Sequence, residues 1–192
     1  MSGLVRVGAL GWDEPEWRNG FYPDDLPEDW RLGYYANEFS TVLVPQRLWW
    51  NATDQTWAGW ADLVSPAFRF WLHADAGTLP GAPGAALTRA ASGLGGRLAG
   101  VLCEGACAAA AAHGALPDGP PVETGHAEAG LRVFGSAILA TNLSTRDLPA
   151  LRAVIERTRT LAGASEHGYL FFTPAVDTPA TLHAANTIAG LI

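Results

Sequence analysis

Short apolar segments alternate with longer amphipathic segments about six times along the chain, and this alternation limits the folds that it can adopt. Segments with the composition of buried strands cover residues 4–9, 41–45, 68–74, 98–103, 131–140 and 169–172. The spacing of apolar residues predicts helices over residues 27–39, 54–64, 85–98, 147–162 and 178–191. We therefore expect an α/β domain with a mostly parallel sheet and about six β/α units. Residues 114–130 are predicted to form a loop, and a bend is predicted at Gly135 within residues 131–140.

The chain is acidic and has the length of one domain. Its 192 residues are 48% hydrophobic, and its formal net charge is −7. We expect a single domain over residues 1–192, because this apolar fraction is enough for one core. Its basic residues are all Arg and mostly scattered, which argues against nucleic acid and membrane surfaces as partners. We expect a cytoplasmic protein, since no transmembrane run or signal peptide is recognisable.

Cys103 and Cys107 are the only cysteines in the sequence. At this spacing they would share a helix face, but a disulfide framework usually has more cysteines. A zinc site would need two further ligands nearby, and no Cys or His pair follows at a matching spacing. Both cysteines lie in an apolar, Ala-rich stretch, so we expect buried free thiols and neither a metal nor an organic cofactor.

The N-terminal segment carries a combination of motifs that resembles a known family. A strand end with the sequence VRVGALGW at residues 5–12 is followed by Trp17 and by an FYP turn at residues 21–23. This order is similar to that of the YecE-like family, the domain of unknown function 72. The resemblance covers residues 4–75 and, more weakly, residues 168–191. It implies a barrel of the TIM type, in a family without a settled biochemical function.

The sequence departs from the family pattern at several strand ends. The family has an acid and an amide after its second strand, where this chain has Leu43 and Pro45. Where the third strand of the family ends in a Lys, this chain has Leu72 and His73. Where the last strand of the family ends in an Asn pair, this chain has Thr173 and Pro174. We expect a shortened barrel or an open sheet, because closed barrels of this type usually need ~250 residues. Exposed strand edges would favour a homodimer.

The loops after the first two predicted strands carry aromatic and charged side chains. The first of these loops contains Trp12, Asp13, Glu14, Glu16, Trp17 and Arg18. Exposed rings beside carboxylates could bind a sugar, a cation or a base. The alternative is that Trp12 and Trp17 are core residues above the barrel. Arg47 and Trp49 are further candidates for ligand binding, because Arg can hold a carboxylate or phosphate with two hydrogen bonds. A surface salt bridge is the alternative for Arg47.

Three titratable residues stand at the ends of later predicted strands. His73 and Asp75 end the third strand, and Glu104 ends the fourth. If these side chains converge, they form a general acid–base group or a metal site. No H-x-H or H-E-x-x-H spacing supports the metal site, and a hydrogen-bonded structural role is the alternative for His73. Glu16 is the fourth candidate catalytic residue.

Two functional hypotheses remain open. The departures from the family pattern favour a non-catalytic protein that binds a small ligand or a protein partner. Its binding surface would be the N-terminal face, because all eight Trp residues lie within the first 71 positions. The rival hypothesis is a hydrolase or lyase with an acid/base site rebuilt from Glu16, His73, Asp75 and Glu104. A subunit of a larger assembly, marked by an exposed apolar patch, is a third possibility.

Overall fold

The computed structural model describes residues 4–18, 20–75, 83–141, 143–145, 147–163 and 167–192. This part of the chain contains nine strands and seven α-helices. The strands are β1 (Leu4–Ala9), β2 (Thr41–Val44), β3 (Arg69–Ala74), β4 (Leu98–Cys103), β5 (Val122–Thr124), β6 (His126–Glu128), β7 (Leu131–Val133), β8 (Ala137–Ala140) and β9 (His167–Phe172). The helices are α1 (Arg31–Glu38), α2 (Gln46–Trp49), α3 (Asp54–Asp62), α4 (Pro83–Leu94), α5 (Ala106–Ala115), α6 (Leu148–Ala162) and α7 (Thr178–Leu191).

The strands form two arcs that meet at both ends. One arc has the order β2-β3-β4-β5, and the other has the order β1-β9-β8-β7-β6. A parallel bridge between Leu10 and Leu43 joins β1 to β2. At the other junction, β5 continues into β6 through Gly125, whose N–H donates to the carbonyl of Cys103 on β4. The result is a closed ring, so of the two expected alternatives the chain forms the barrel and not the open sheet.

Six of the strands are mutually parallel and are each followed by a helix. These are β1 to β4, β8 and β9, and together they give the predicted six β/α units. The exception is β7, which is antiparallel to both of its neighbours. The fold is therefore a barrel-type α/β domain with a mostly parallel sheet, as predicted, in which a hairpin stands where a β/α unit would be.

The segment between α5 and β8 is where the sequence prediction of secondary structure was wrong. Residues 114–130 include β5 and β6 rather than a loop alone. Residues 131–140 form two strands with the predicted bend at Gly135 between them. The strands β5, β6 and β7 have three residues each and are only partly buried. Such short strands carry no apolar periodicity, so the sequence pattern could not indicate them. Their pairing closes the ring and removes the free edges from which we expected a homodimer.

The core has an inner and an outer layer. The inner cluster fills the ring with buried side chains from the strands and from the β7–β8 turn: Leu43, Trp71, Leu102, Phe134, Ala137, Leu139 and Phe171. The outer cluster lies between the strands and the helices and holds most of the aromatic side chains. The interior is thus packed with apolar side chains rather than open.

Tyr35 on α1 joins the helix layer to the junction of β1 and β2. Its hydroxyl accepts from the N–H of Ala9 at 2.8 Å and donates to the carbonyl of Thr41 at 3.0 Å. Burial raises the pKa of Tyr35 far above its ordinary value, so this hydroxyl keeps its proton. The bond pair helps to hold the strand ends that lead into the loops described below.

Cys103 is a buried free thiol, as predicted for it. Burial raises the pKa of Cys103 to about 11. The side chain of Cys107 lies outside the described residues. Among the described helices, none has the length and apolar content needed to cross a membrane.

Candidate functional site

Three of the four predicted acid/base residues meet at the barrel mouth, the end of the ring where β3 and β4 finish. Nδ1 of His73 is 3.1 Å from Oδ1 of Asp75, and Nε2 of His73 is 3.1 Å from Oε1 of Glu104. The exposed fraction of the side chain is 6% for His73, 16% for Glu104 and 62% for Asp75. The imidazole therefore lies between one shielded carboxylate and one that faces solvent.

Strand geometry explains why these side chains meet. Side chains alternate between the two faces of a strand, so His73 shares its face with Trp71, and Glu104 shares its face with Leu102. Trp71 and Leu102 belong to the inner cluster. The N–H of Glu104 also donates to the carbonyl of Ala74, which continues the pairing of β3 with β4 past the last strand residue. His73 and Glu104 consequently face each other one layer above the packed interior.

The short helix α2 holds the end of β3 in place. Nε1 of Trp49 donates to the carbonyl of His73 at 2.9 Å, and Trp49 is fully buried. The N–H of Asp75 donates to Oε1 of Gln46, also at 2.9 Å. These two bonds fix the backbone that directly follows the imidazole, so the position of His73 depends on residues of α2.

Arg132 adds a cation to the barrel mouth. Its Nη2 is 3.3 Å from Oε2 of Glu104, and its side chain is 40% exposed. Glu104 thus contacts His73 with one oxygen and Arg132 with the other. The antiparallel strand β7 brings Arg132 to this point. The sequence analysis predicted a bend at Gly135 but not the antiparallel direction of β7, so it gave no sign of this contact.

The two carboxylates constrain the protonation of His73. A neutral imidazole has one N–H donor and one acceptor, whereas two ionised carboxylates can only accept. Glu104 is the better-held partner, since it is shielded and paired with Arg132. A neutral His73 therefore donates from Nε2 to Glu104 and leaves Nδ1, on the side of the exposed Asp75, to accept a proton. Protonation of Nδ1 gives an imidazolium with a carboxylate at each nitrogen.

A second ion pair follows β1. Oε1 of Glu14 is 2.6 Å from Nη2 of Arg47, and the Glu14 side chain is 11% exposed. Burial raises the pKa of Glu14, and the Arg47 guanidinium opposes that rise. Arg47 thus has the salt-bridge partner that was its alternative, and its ligand-binding role stays a prediction. Glu14 belongs to the loop that the sequence analysis singled out, although it was not one of the four candidate catalytic residues. Gly11, with a φ of +90°, turns the chain beside the Glu14 carboxylate.

The three Trp residues predicted to contact a ligand are all buried. The exposed fraction is 6% for Trp12, 1% for Trp17 and zero for Trp49. Nε1 of Trp17 donates to the carbonyl of Ala175, and Trp12 packs edge-on against Trp60 with 4.9 Å between ring centroids. The burial of Trp12 and Trp17 favours the alternative in which they are core residues, and ligand binding by Trp49 stays a prediction. The physical reason is their size, because a buried indole removes more apolar surface from water than other side chains.

Glu16 lies apart from the barrel mouth. It lines a cleft between the loop after β1 and the helices α1 and α7, together with Phe21, Tyr34 and His183. The described hydrogen bonds and ion pairs connect it with none of the other predicted catalytic residues. Within the described ranges, no group of three or more His, Cys, Asp or Glu side chains is arranged to hold a metal ion.

Comparisons with known proteins agree with the fold. The model of the family described as "Protein of unknown function DUF72" matches residues 6–78. A DUF72 family protein from Thermotoga maritima superposes with a TM-score of 0.65 at 13% identity, over 96% of this chain and 99% of its own. A DUF72 family protein from Enterococcus faecalis superposes with a TM-score of 0.66 at 10% identity, over 98% of this chain and 96% of its own. A comparison with curated protein sequences finds no match.

Proposed function

Since the chain belongs to the DUF72 family, whose function is unknown, we propose a function from its own residues. The protein is proposed to be a hydrolase or lyase that transfers protons on a small polar substrate at the barrel mouth. One observation carries the proposal. His73 lies between Asp75 and Glu104, with 3.1 Å on each side, at the ends of two adjacent parallel strands. Barrel enzymes hold their catalytic groups at this end of the strands.

His73 is the proposed general base, and Nδ1 is the nitrogen that exchanges the proton. A substrate approaches from the solvent side, displaces the exposed Asp75 carboxylate and gives a proton to Nδ1. Glu104 stabilises the resulting imidazolium through Nε2–H, as a carboxylate does for a catalytic histidine in other enzymes. Arg132 contacts the other carboxylate oxygen of Glu104. The exposed guanidinium groups of Arg132 and Arg47 are suited to a carboxylate or phosphate on the substrate.

A deuterium-exchange experiment tests the proposal without a known substrate. The purified protein is incubated in D₂O with a small-molecule cell extract, and mass spectrometry detects compounds that are consumed or labelled. We expect labelling or consumption of at least one compound, with a rate about 10²-fold lower for His73→Gln. His126→Gln is the matched control, because this histidine is exposed and its ion-pair partner is Glu128 rather than Asp75 or Glu104. A wild type that changes no compound would contradict the proposal.

Ligand binding without catalysis is the second candidate. It is favoured by the pairing of the charged side chains at the mouth, where Glu104 contacts His73 and Arg132, and Glu14 contacts Arg47. Groups that neutralise one another in this way are typical of a scaffold as well as of a resting enzyme. Under this hypothesis a compound from the same extract binds and raises the melting temperature, but it is neither consumed nor labelled.

The compartment and the assembly state belong to the same proposal. The free thiol of Cys103 supports a reducing compartment, so we place the protein in the cytoplasm. A homodimer would need an interface other than the open strand edges first considered, because the described ring closes. Light scattering after size exclusion measures the mass directly, and a monomer at high concentration would contradict the dimer.

A further inference from the structure

The cleft that contains Glu16 carries an inference separate from the barrel mouth. It has a volume of about 630 Å³ and lies between the loop after β1 and the helices α1 and α7. Its lining combines the rings of Phe21 and Tyr34 with the carboxylates of Glu16 and Glu38. We propose that this cleft binds an organic cation, that is, a substituted ammonium group attached to an apolar body.

The aromatic part of the cleft is held rigidly by its neighbours. The rings of Phe21 and Tyr34 meet edge to face with 5.4 Å between centroids. Phe21 also contacts the buried rings of Trp17 and Phe39, at 6.0 and 5.8 Å. Both lining rings are only partly buried, so part of each stays accessible from the cleft. A preformed aromatic surface attracts a cation through its π electrons and costs little side-chain entropy on binding.

The charge of the cleft also favours a cation. Glu16 and Glu38 are exposed, and within the described part of the chain Glu16 has no ion-pair partner. Glu38 is 3.9 Å from His183, a partner at the limit of an ion pair. Arg18 also lines the cleft, but its guanidinium points to Asp13 and Glu28, 3.8 and 3.6 Å away. The carboxylates therefore outnumber the cations that face the cleft, which disfavours carboxylate and phosphate ligands.

Benzyltrimethylammonium is a suitable probe, with benzyl alcohol as the neutral and phenylacetate as the anionic comparison. Calorimetry and NMR of the full chain would measure affinity and locate the site. We expect the ammonium probe to bind at least tenfold more tightly than either comparison compound and to shift the resonances of Phe21 and Tyr34. The double variant Glu16→Gln/Glu38→Gln should weaken its binding about tenfold while leaving the weak binding of benzyl alcohol unchanged.

Glu156→Gln on α6 is the matched control, since it makes the same chemical change at an exposed ion pair outside the cleft. It should leave the affinity for the ammonium probe within twofold of the wild-type value. Circular dichroism of each variant would verify that it is folded. Equal affinity for benzyl alcohol, an unchanged affinity in the double variant, or no binding at millimolar concentration would each overturn the proposal. None of these outcomes depends on catalysis at His73.

Discussion

The outer aromatic layer and the barrel mouth differ in how their side chains are used. In the outer layer, the rings of Trp12, Trp17 and Trp57 pack against other side chains and are at most 6% exposed. At the mouth, the side chains of His73 and Glu104 contact one another through polar atoms and are connected to solvent through their exposed neighbours. Trp, the more conspicuous residue type in the sequence, is therefore the one that packs in the core.

The free energies involved explain this difference. Burial of an aromatic side chain of 150–250 Å² stabilises a fold by about 4–6 kcal/mol as an upper estimate. Burial of a carboxylate costs free energy unless a partner compensates it. The shielded carboxylate of Glu104 accordingly has two partners, His73 and Arg132. A cluster of Trp residues thus indicates a core first, whereas a few charged residues at strand ends indicate a site.

Removal of a Trp side chain from the outer layer should have the largest effect. Trp17→Ala removes a fully buried ring and its hydrogen bond to Ala175, so we expect a loss of about 3–5 kcal/mol in the free energy of unfolding. Trp30 is 65% exposed, and Trp30→Ala should change it by less than about 0.5 kcal/mol. Chemical denaturation measures both values. Similar losses in the two variants would contradict the division into core and surface rings.

Overpacking of the barrel interior should have a smaller effect. A Cβ at Gly100 on β4 would overlap the ring of Trp71, the side chain directly below His73 on its face of β3. We expect Gly100→Ala to cost about 1–3 kcal/mol, because a packed interior cannot yield without displacing the ring. Gly59→Ala on α3 is the control, since its Cβ meets open space and Ala favours a helix by about 1 kcal/mol. An unchanged denaturation midpoint for Gly100→Ala would mean that the interior is loose.

Loss of a charge at the mouth should lower the free energy of unfolding by less than overpacking of the interior does. Glu104→Gln keeps the shape of the side chain but weakens its contacts with His73 and Arg132, so we expect a loss of about 1–2 kcal/mol. Glu156→Gln breaks an exposed pair with Arg152, for which about 0.5 kcal/mol or less is expected. Denaturation at low and high salt distinguishes them, because the shielded contacts respond less to screening. Equal losses in the two variants would show that the mouth behaves as ordinary surface.

The sequence predicted those parts of the molecule that have a periodic apolar pattern. Six parallel strands and their helices follow from runs such as residues 69–74 and 98–103, which are buried along nearly their whole length. The meeting of His73 with Glu104 also follows, because adjacent parallel strands end at the same side of a sheet. The sequence could not reveal the hydrogen-bond partners or the exposure of these side chains, because both depend on distances between side chains.

The remaining features depend on contacts between distant segments. The contact of Arg132 with Glu104 exists only because a three-residue strand runs antiparallel to its neighbours. The burial of Trp17 depends on Ala175, 158 positions later in the chain. Glu16 and Glu14 are two residues apart, yet Glu14 is buried with Arg47 and Glu16 lines an outer cleft. Neither local propensity nor residue type distinguishes these alternatives.

The smallest effect is expected at an ion pair outside both regions. Both oxygens of Glu128 on β6 accept from the guanidinium of Arg157 on α6, at 2.8 and 2.5 Å. Arg157 lowers the pKa of Glu128 below its ordinary value of 4.5, so the unfolded chain binds more protons near that pH than the native one. The stabilisation by this pair is therefore present above pH 4.5 and is lost as the pH falls through the native pKa of Glu128. We expect the small difference in melting temperature between the wild type and Glu128→Gln to disappear in that window. A difference in melting temperature that stays constant into stronger acid would show that packing rather than charge holds the β6–β7 hairpin to α6. The hairpin would then resemble the aromatic layer and not the mouth.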